Sequence, residues 1–201
     1  MCLTGWNVIT DMPLSSGKSI YVAMKTSIVN MRGGGWYGST FISRPYMDLV
    51  DKSPSAGYFA KLKQLWQGRE IVIVEGVTSR SGVGNDLFSN ALSIERIICP
   101  SRNAFAKVDA IRHALMQIST DKLILLILGP TAKVLVEDLA AMGYQAIDLG
   151  HIDSEYEWFK MGATHKVKLP HKHTAEHNYD EDIIFEQDKD YERQIIYKIE
   201  D

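Results

Sequence analysis

Leu123-Ile124-Leu125-Leu126-Ile127-Leu128 is an uninterrupted apolar run that ends at Gly129-Pro130. Two further apolar runs, rich in β-branched residues, precede it at 71–74 and 94–99, and a weaker one follows at 144–149. Hydrophobicity that is continuous rather than alternating indicates burial on both faces, which is typical of the central strands of a parallel sheet. The sequence therefore predicts four buried strands.

Between these runs, apolar residues recur at the spacing of a helix. From Ala104 to Ile118 they follow one another at steps of three and four, and Asn103 is placed to cap the start. A second helix is predicted to begin at Pro130 and to end just before Gly143. The alternation of strands and helices predicts an α/β fold, with a Rossmann-like, doubly wound, mostly parallel sheet in a single domain.

The two flanks of this pattern are less regular. Residues 59–66 predict one amphipathic helix ahead of the first strand, whereas residues 1–35 end in the glycine run Gly33-Gly34-Gly35. The last apolar group of the chain consists of Ile195, Ile196 and Ile199. The sequence does not decide whether this C-terminal tail packs back on the sheet.

Composition excludes several classes of protein. The 201 residues suit one domain, and the net charge of −3 gives no reason to expect a nucleic-acid partner. No stretch approaches the roughly 18 apolar residues of a membrane span, and no secretory signal opens the chain. The two cysteines, Cys2 and Cys99, have no metal-binding or redox spacing. We expect a cytoplasmic protein, and a homo-oligomer is compatible with the sequence.

The loop after the first strand is the leading candidate for a ligand site, because open α/β sheets bind ligands at the carboxyl ends of their strands. It combines small residues, an arginine and an expected helix start at Asn85, which suits a phosphate cradle. An ordinary glycine-containing turn before a capped helix explains the same residues. The candidate binding residues are Glu75, Ser79, Arg80, Gly82, Gly84, Asn85 and Asp86.

Two later loops add candidates. In an extended segment, Asp153 and Glu155 would point to the same side and could present two carboxylates to Mg²⁺ or Mn²⁺. The alternative is that Asp153 caps a helix and Glu155 lies in its first turn. Thr131 could contact a phosphate or a sugar hydroxyl, although it also suits the plain start of a helix.

Long motifs in the right order resemble the bacterial GT-D glycosyltransferases. They cover about residues 36–180 and include Trp36-Tyr37-Gly38, the loop Ser79–Asp86, and the segment from Gly143 through Asp153-Ser154-Glu155 to Trp158. The resemblance implies transfer of a sugar, glucose or a related one, from a UDP-sugar donor to a glycan acceptor. It also implies that an Asp-x-Glu motif, here Asp153 and Glu155, holds a divalent metal, Mn²⁺ or Mg²⁺, against the diphosphate.

One part of the chain departs from that family pattern. Members carry an element resembling Arg-Phe-Gly-Asp-Gly-Glu ahead of Trp-Tyr-Gly, and residues 1–35 contain no such element. We therefore divide the chain into a divergent or shortened N-terminal segment, residues 1–35, and a GT-D-type domain, residues 36–201.

Two other functions remain open at this point. One is a non-catalytic module that binds a nucleotide sugar or a glycan. The other is a metal-dependent phosphohydrolase that uses His151, Asp153 and the later histidines, His165, His171, His173 and His177. As the base that accepts the acceptor's proton, Glu75, Asp86 and His151 are equal candidates.

Overall fold

The computed structural model describes residues 42–176, 183–185 and 187–200. The predicted N-terminal segment and the Trp36-Tyr37-Gly38 motif lie outside these residues. The described helices are α1 (Ser55–Lys63), α2 (Val108–Leu115), α3 (Pro130–Ala141), α4 (Ile152–Met161) and α5 (Lys189–Gln194). The described strands are β1 (Glu70–Gly76), β2 (Ser93–Cys99), β3 (Leu123–Ile127), β4 (Gln145–Asp148) and β5 (Ile195–Lys198).

The five strands form one sheet in the order β4-β3-β1-β2-β5, and every pair is parallel. The predicted α/β fold with a parallel sheet is confirmed. From β1 the chain moves to β2 on one side, then crosses back to β3 on the other side of β1. The sheet therefore has a switch point between β1 and β3, where the loops at the carboxyl ends of two neighbouring strands diverge.

Helices cover both faces of the sheet, which explains the continuous apolar runs. On one face, Ile71 and Ile73 of β1 pack with α1 and α4, and the core includes Phe59 and Trp158. On the other face, the alternate residues of β1 and β3 pack against α2 and α3. Each central strand is thus buried on both sides, as its hydrophobicity predicts.

Two expected helix starts are absent. Residues 77–92 form turns and bends instead of a helix at Asn85, and within this loop Gly82 and Gly84 adopt left-handed φ values of 80° and 78°. Asn103 also has a left-handed φ of 48° and makes no capping bond; the chain passes through a 3-10 turn, Ala104–Lys107, before α2 begins.

The C-terminal tail does pack on the sheet. β5 pairs with β2, and the N–H of Ile199 donates to Ile98 O at 2.8 Å. Asp188 caps α5 by accepting from the N–H groups of Asp190 and Tyr191. None of the helices in the part of the chain that the structure describes is long and apolar enough to span a membrane.

Candidate functional site

A cleft of about 850 Å³ opens at the carboxyl ends of the strands, at the switch point between β1 and β3. This volume lies within the range of roughly 300–1,000 Å³ that is usual for small-molecule sites. The loops that follow β1, β2, β3 and β4 line it, together with residues 42–44 and His173. The polar lining residues are Ser43, Arg44, Thr78, Ser79, Ser101, Arg102, Asn103, Thr131, Lys133, Asp148, His151 and His173.

The lining carries more positive than negative charge. Arg44, Arg102 and Lys133 face a single carboxylate among the described lining residues, that of Asp148. Asp148 is already engaged, since it accepts from Lys133 Nζ at 2.9 Å and from the N–H of Gly150 at 2.9 Å. Arg44 pairs with Glu176 at 2.8 Å, and Lys133 is held by Asp148. An anionic ligand would therefore meet Arg102 directly and would compete with carboxylates for the other two cations.

The amino end of α3 adds to the positive potential. Gly129, with a φ of 52°, turns the chain from β3 into the helix, and Pro130 occupies the first turn. No side chain caps this helix, and Gly129, Pro130 and Thr131 all line the cleft. Pro130 has no N–H group, and those of Thr131 and Ala132 donate to Leu128 O and Gly129 O. This helix end would therefore favour an anion through the helix dipole.

Among the three candidate bases, His151 alone lines the cleft. Burial lowers the pKa of His151 from its ordinary value, and the positive charge of Arg44 acts in the same direction. Glu75 is fully buried beneath the β1–β2 loop, and Asp86 lies on the surface beside Lys63 and Lys160. Because of these contacts, neither the carboxylate of Glu75 nor that of Asp86 reaches a ligand in the cleft.

Of the predicted donor-binding residues, Ser79 and Thr131 line the cleft. Glu75 instead forms a buried ion pair with Arg96, at 2.5 Å, and accepts from the N–H of Ser81. Arg80 is turned away from the cleft, and its guanidinium lies 4.6 Å from the ring centroid of Tyr191. Both side chains therefore support the β1–β2 loop from the side away from the cleft.

Of the four remaining predicted residues of the loop, three contact α4. Gly82 and Asn85 donate to Asp153, and Asn85 also donates to Glu157. Asp86 accepts from Tyr156 and pairs with Lys63, and these contacts hold the pKa of its carboxyl well below its usual range. Gly84, with Asn85 and Asp86, borders a separate shallow depression.

Asp153 and Glu155 lie in a helix, not in an extended segment. Gly150 has already turned the chain, and α4 begins at Ile152, so the two side chains are about 200° apart around the helix axis. Asp153 Oδ1 accepts from Gly82 and Asn85, while Glu155 Oε2 accepts from the N–H groups of Tyr46 and Met47. The two carboxylates do not converge.

Comparison with known proteins bears directly on this cleft. A family model for the glycosyltransferase GT-D fold matches residues 18–177. The chain belongs to the GT-D family. The match includes the loops after β1, β2, β3 and β4, so every strand end that lines the cleft lies within the GT-D region.

Two curated relatives bear glycosyltransferase names. A probable glycosyl transferase Gly of Streptococcus gordonii is 68% identical over 161 residues, which is 80% of this chain and 24% of the relative. Glycosyltransferase GlyD of Streptococcus pneumoniae serotype 4 is 59% identical over 164 residues, 82% of this chain and 20% of the relative. The chain thus spans about a quarter or less of the length of these two relatives.

Solved structures agree on the fold. A glycosyltransferase (DUF1792) from Streptococcus sanguinis superposes with a TM-score of 0.80 at 61% identity, covering 89% of this chain and 68% of that one. A DUF1792 domain described as having a distinct glycosyltransferase fold gives 0.81 at 58% identity, covering 90% and 65%. This chain therefore shares the fold of both structures.

The metal that the GT-D resemblance implies does not fit Asp153 and Glu155 as they lie here. Three of the four carboxylate oxygens accept hydrogen bonds from protein groups, including Lys172 Nζ at 3.0 Å from Asp153 Oδ2. Among residues 42–176, 183–185 and 187–200, no group of three or more His, Cys, Asp or Glu side chains could hold a metal ion. No catalytic step is therefore assigned to this pair.

Several residues of the cleft were not predicted from the sequence. Arg44, Arg102 and Lys133 are single cations in otherwise ordinary loop or helix starts, and His173 lies far along the chain. For two of them the sequence does hold a signal, which is their position: Arg102 and Lys133 lie within a few residues of the ends of β2 and β3. Arg44 and His173 belong to segments outside the strand–helix pattern, so only the fold brings them to the GT-D cleft.

Proposed function

We propose that this GT-D chain transfers a sugar from a nucleotide-sugar donor to a glycan acceptor, in the cytoplasm, and that the cleft at the carboxyl ends of β1 and β3 holds the donor. The observation that carries the proposal is the combination of cations and the uncapped start of α3 at this switch point. A diphosphate is the part of such a donor that this environment would bind best. The glycosyltransferase names of the relatives support the same reaction.

The proposed reaction can be described with groups of this cleft alone. The bond between the anomeric carbon of the sugar and the diphosphate oxygen breaks, and a bond from that carbon to the acceptor hydroxyl oxygen forms. Arg102, Lys133 and the α3 amino end would stabilise the negative charge that develops on the departing diphosphate. His151 lines the same cleft and would accept the hydroxyl proton.

The donor that we propose is a UDP-sugar, with UDP-glucose as the first compound to test, in line with the family resemblance. The test is UDP release from UDP-glucose with and without glycan acceptors, in the presence of Mn²⁺, of Mg²⁺, or of a chelator. Acceptor-dependent release of UDP supports the proposal. UDP binding without release under any acceptor favours a binding module, and phosphate release without acceptor favours a hydrolase. Absence of UDP binding overturns the proposal.

Replacing Lys133 with alanine should weaken UDP binding by about tenfold or more. The change removes one cation and also leaves the carboxylate of Asp148, which is largely buried, without its partner in the cleft. Isothermal titration calorimetry measures the effect directly.

Lys122 offers a matched control, since it pairs with Glu95 at 2.7 Å but lies just before β3, at the opposite end of the sheet. Lys122→Ala should leave UDP affinity unchanged, and Lys133→Arg should retain most of it. Equal affinities for Lys133→Ala and the wild type would place the diphosphate elsewhere.

A further inference from the structure

The first turn of α4 contains three consecutive polar residues that are all buried, Asp153, Ser154 and Glu155. Successive residues of a helix are about 100° apart, so their side chains point in three directions. Together they bond to three other segments of the chain, and Asp153 and Ser154 share one of them. All three of those segments also carry residues that line the cleft.

Glu155 fastens the segment that precedes α1. Its side chain is 0% exposed, and Oε2 accepts from the N–H groups of Tyr46 at 3.0 Å and Met47 at 2.8 Å. Immediately before them, Ser43 and Arg44 line the cleft. The other oxygen, Oε1, is buried and has no hydrogen-bond partner among the described residues.

Asp153 fastens the β1–β2 loop on another side of the helix. Its Oδ1 accepts from the N–H of Gly82 at 2.8 Å and from Asn85 Nδ2 at 2.9 Å, and Oδ2 pairs with Lys172. The same loop contains Thr78 and Ser79, which line the cleft.

Ser154 completes the set. Its Oγ accepts from the N–H of Ala175 at 3.1 Å, and the N–H of His173 donates to Thr78 O at 2.7 Å. The segment 172–175 is therefore tied both to α4 and to the β1–β2 loop, with His173 in the cleft wall.

We propose that Asp153 and Glu155 are positioning residues, which hold the Ser43–Met47 segment and the β1–β2 loop at the donor cleft and do not share a metal ion. The inference rests on the proposed donor site. It differs from a ligand role in one chemical respect. The two backbone N–H groups need only an acceptor oxygen at position 155, and a glutamine supplies one. A carboxylate that bound Mn²⁺ or Mg²⁺ would lose its negative charge in a glutamine variant, and the metal would bind more weakly.

The test compares Glu155→Gln, Glu155→Ala and the wild type, with Glu137→Gln as a control for loss of an exposed carboxylate on α3. Hydrogen exchange at the Tyr46 and Met47 amides should be at least about tenfold faster in Glu155→Ala and unchanged in Glu155→Gln. The KM for the donor should rise about tenfold in Glu155→Ala, with a smaller effect on kcat. Glu155→Gln and Glu137→Gln should keep the wild-type KM and the wild-type response to Mn²⁺.

Two results would overturn the inference: Glu155→Gln losing activation by Mn²⁺ as fully as Glu155→Ala, or Glu155→Ala keeping normal amide protection. If Glu155→Ala fails to fold, the Mn²⁺ response of Glu155→Gln still decides between the two roles. If the wild type binds no UDP, the proposed function fails, whereas amide exchange still reports whether Glu155 holds the segment.

Discussion

Arg96→Met should lower the free energy of unfolding by about 3–5 kcal/mol, because it leaves the carboxylate of Glu75 buried without a cation. Arg96 and Glu75 are 3% and 0% exposed and are joined at 2.5 Å. Arg96 also donates to Ser81 O and to Gln194 Oε1, so it links β2 to both the β1–β2 loop and the C-terminal α5. Chemical denaturation followed by circular dichroism measures the loss.

An exposed ion pair provides the comparison. Arg193 pairs with Asp190, and both side chains are more than three-quarters exposed, so Arg193→Met should have almost no effect. The double variant Glu75→Leu with Arg96→Met should recover part of the loss, since it removes the unpaired charge as well. A single Arg96→Met variant as stable as the wild type would mean that Glu75 is not confined as described.

Gly82→Ala should cost about 2–5 kcal/mol of unfolding free energy and weaken donor binding. Its φ of 80° is unfavourable for alanine by about 1–2 kcal/mol. In addition, a Cβ there would lie 2.6 Å from Phe88 Cδ2, and relieving such an overlap in a core costs about 1–3 kcal/mol. The backbone shift would also disturb the bond from Gly82 N to Asp153.

Gly84 is a close control for this prediction. It lies in the same loop with a φ of 78°, yet a Cβ there would meet nothing within 4 Å. Gly84→Ala should therefore show only the backbone part, about 1–2 kcal/mol, with UDP affinity near the wild-type value. Identical losses for the two variants would show that contact with Phe88 is unimportant. The measurements are denaturation curves and UDP titrations on both variants.

Much of the fold follows from local sequence. The apolar runs predicted β1 to β4, and Pro130 and Gly143 marked the bounds of α3, because burial on both faces and helix-end chemistry act over a few residues. The candidate site was less predictable from the sequence. Its location at the strand ends was predictable from the α/β pattern, whereas Arg44 and His173 reach it from segments far apart in sequence.

The chain's own pattern of apolar runs, helix spacing and breakers determined a parallel α/β sheet with ligand-accessible strand ends. The direction of individual side chains was settled only by tertiary structure. Glu75 lies at the end of β1 and Arg80 in the loop after it, where binding residues are often found. Glu75 pairs instead with Arg96, and Arg80 packs on Tyr191, on the side of the loop away from the cleft. Asp153 and Glu155 are two apart in sequence, but a helix separates them by about 200°, and distant backbone N–H groups take up their oxygens. Spacing specifies which residues are near one another, whereas the conformation and the partners that the fold supplies determine what each of them contacts.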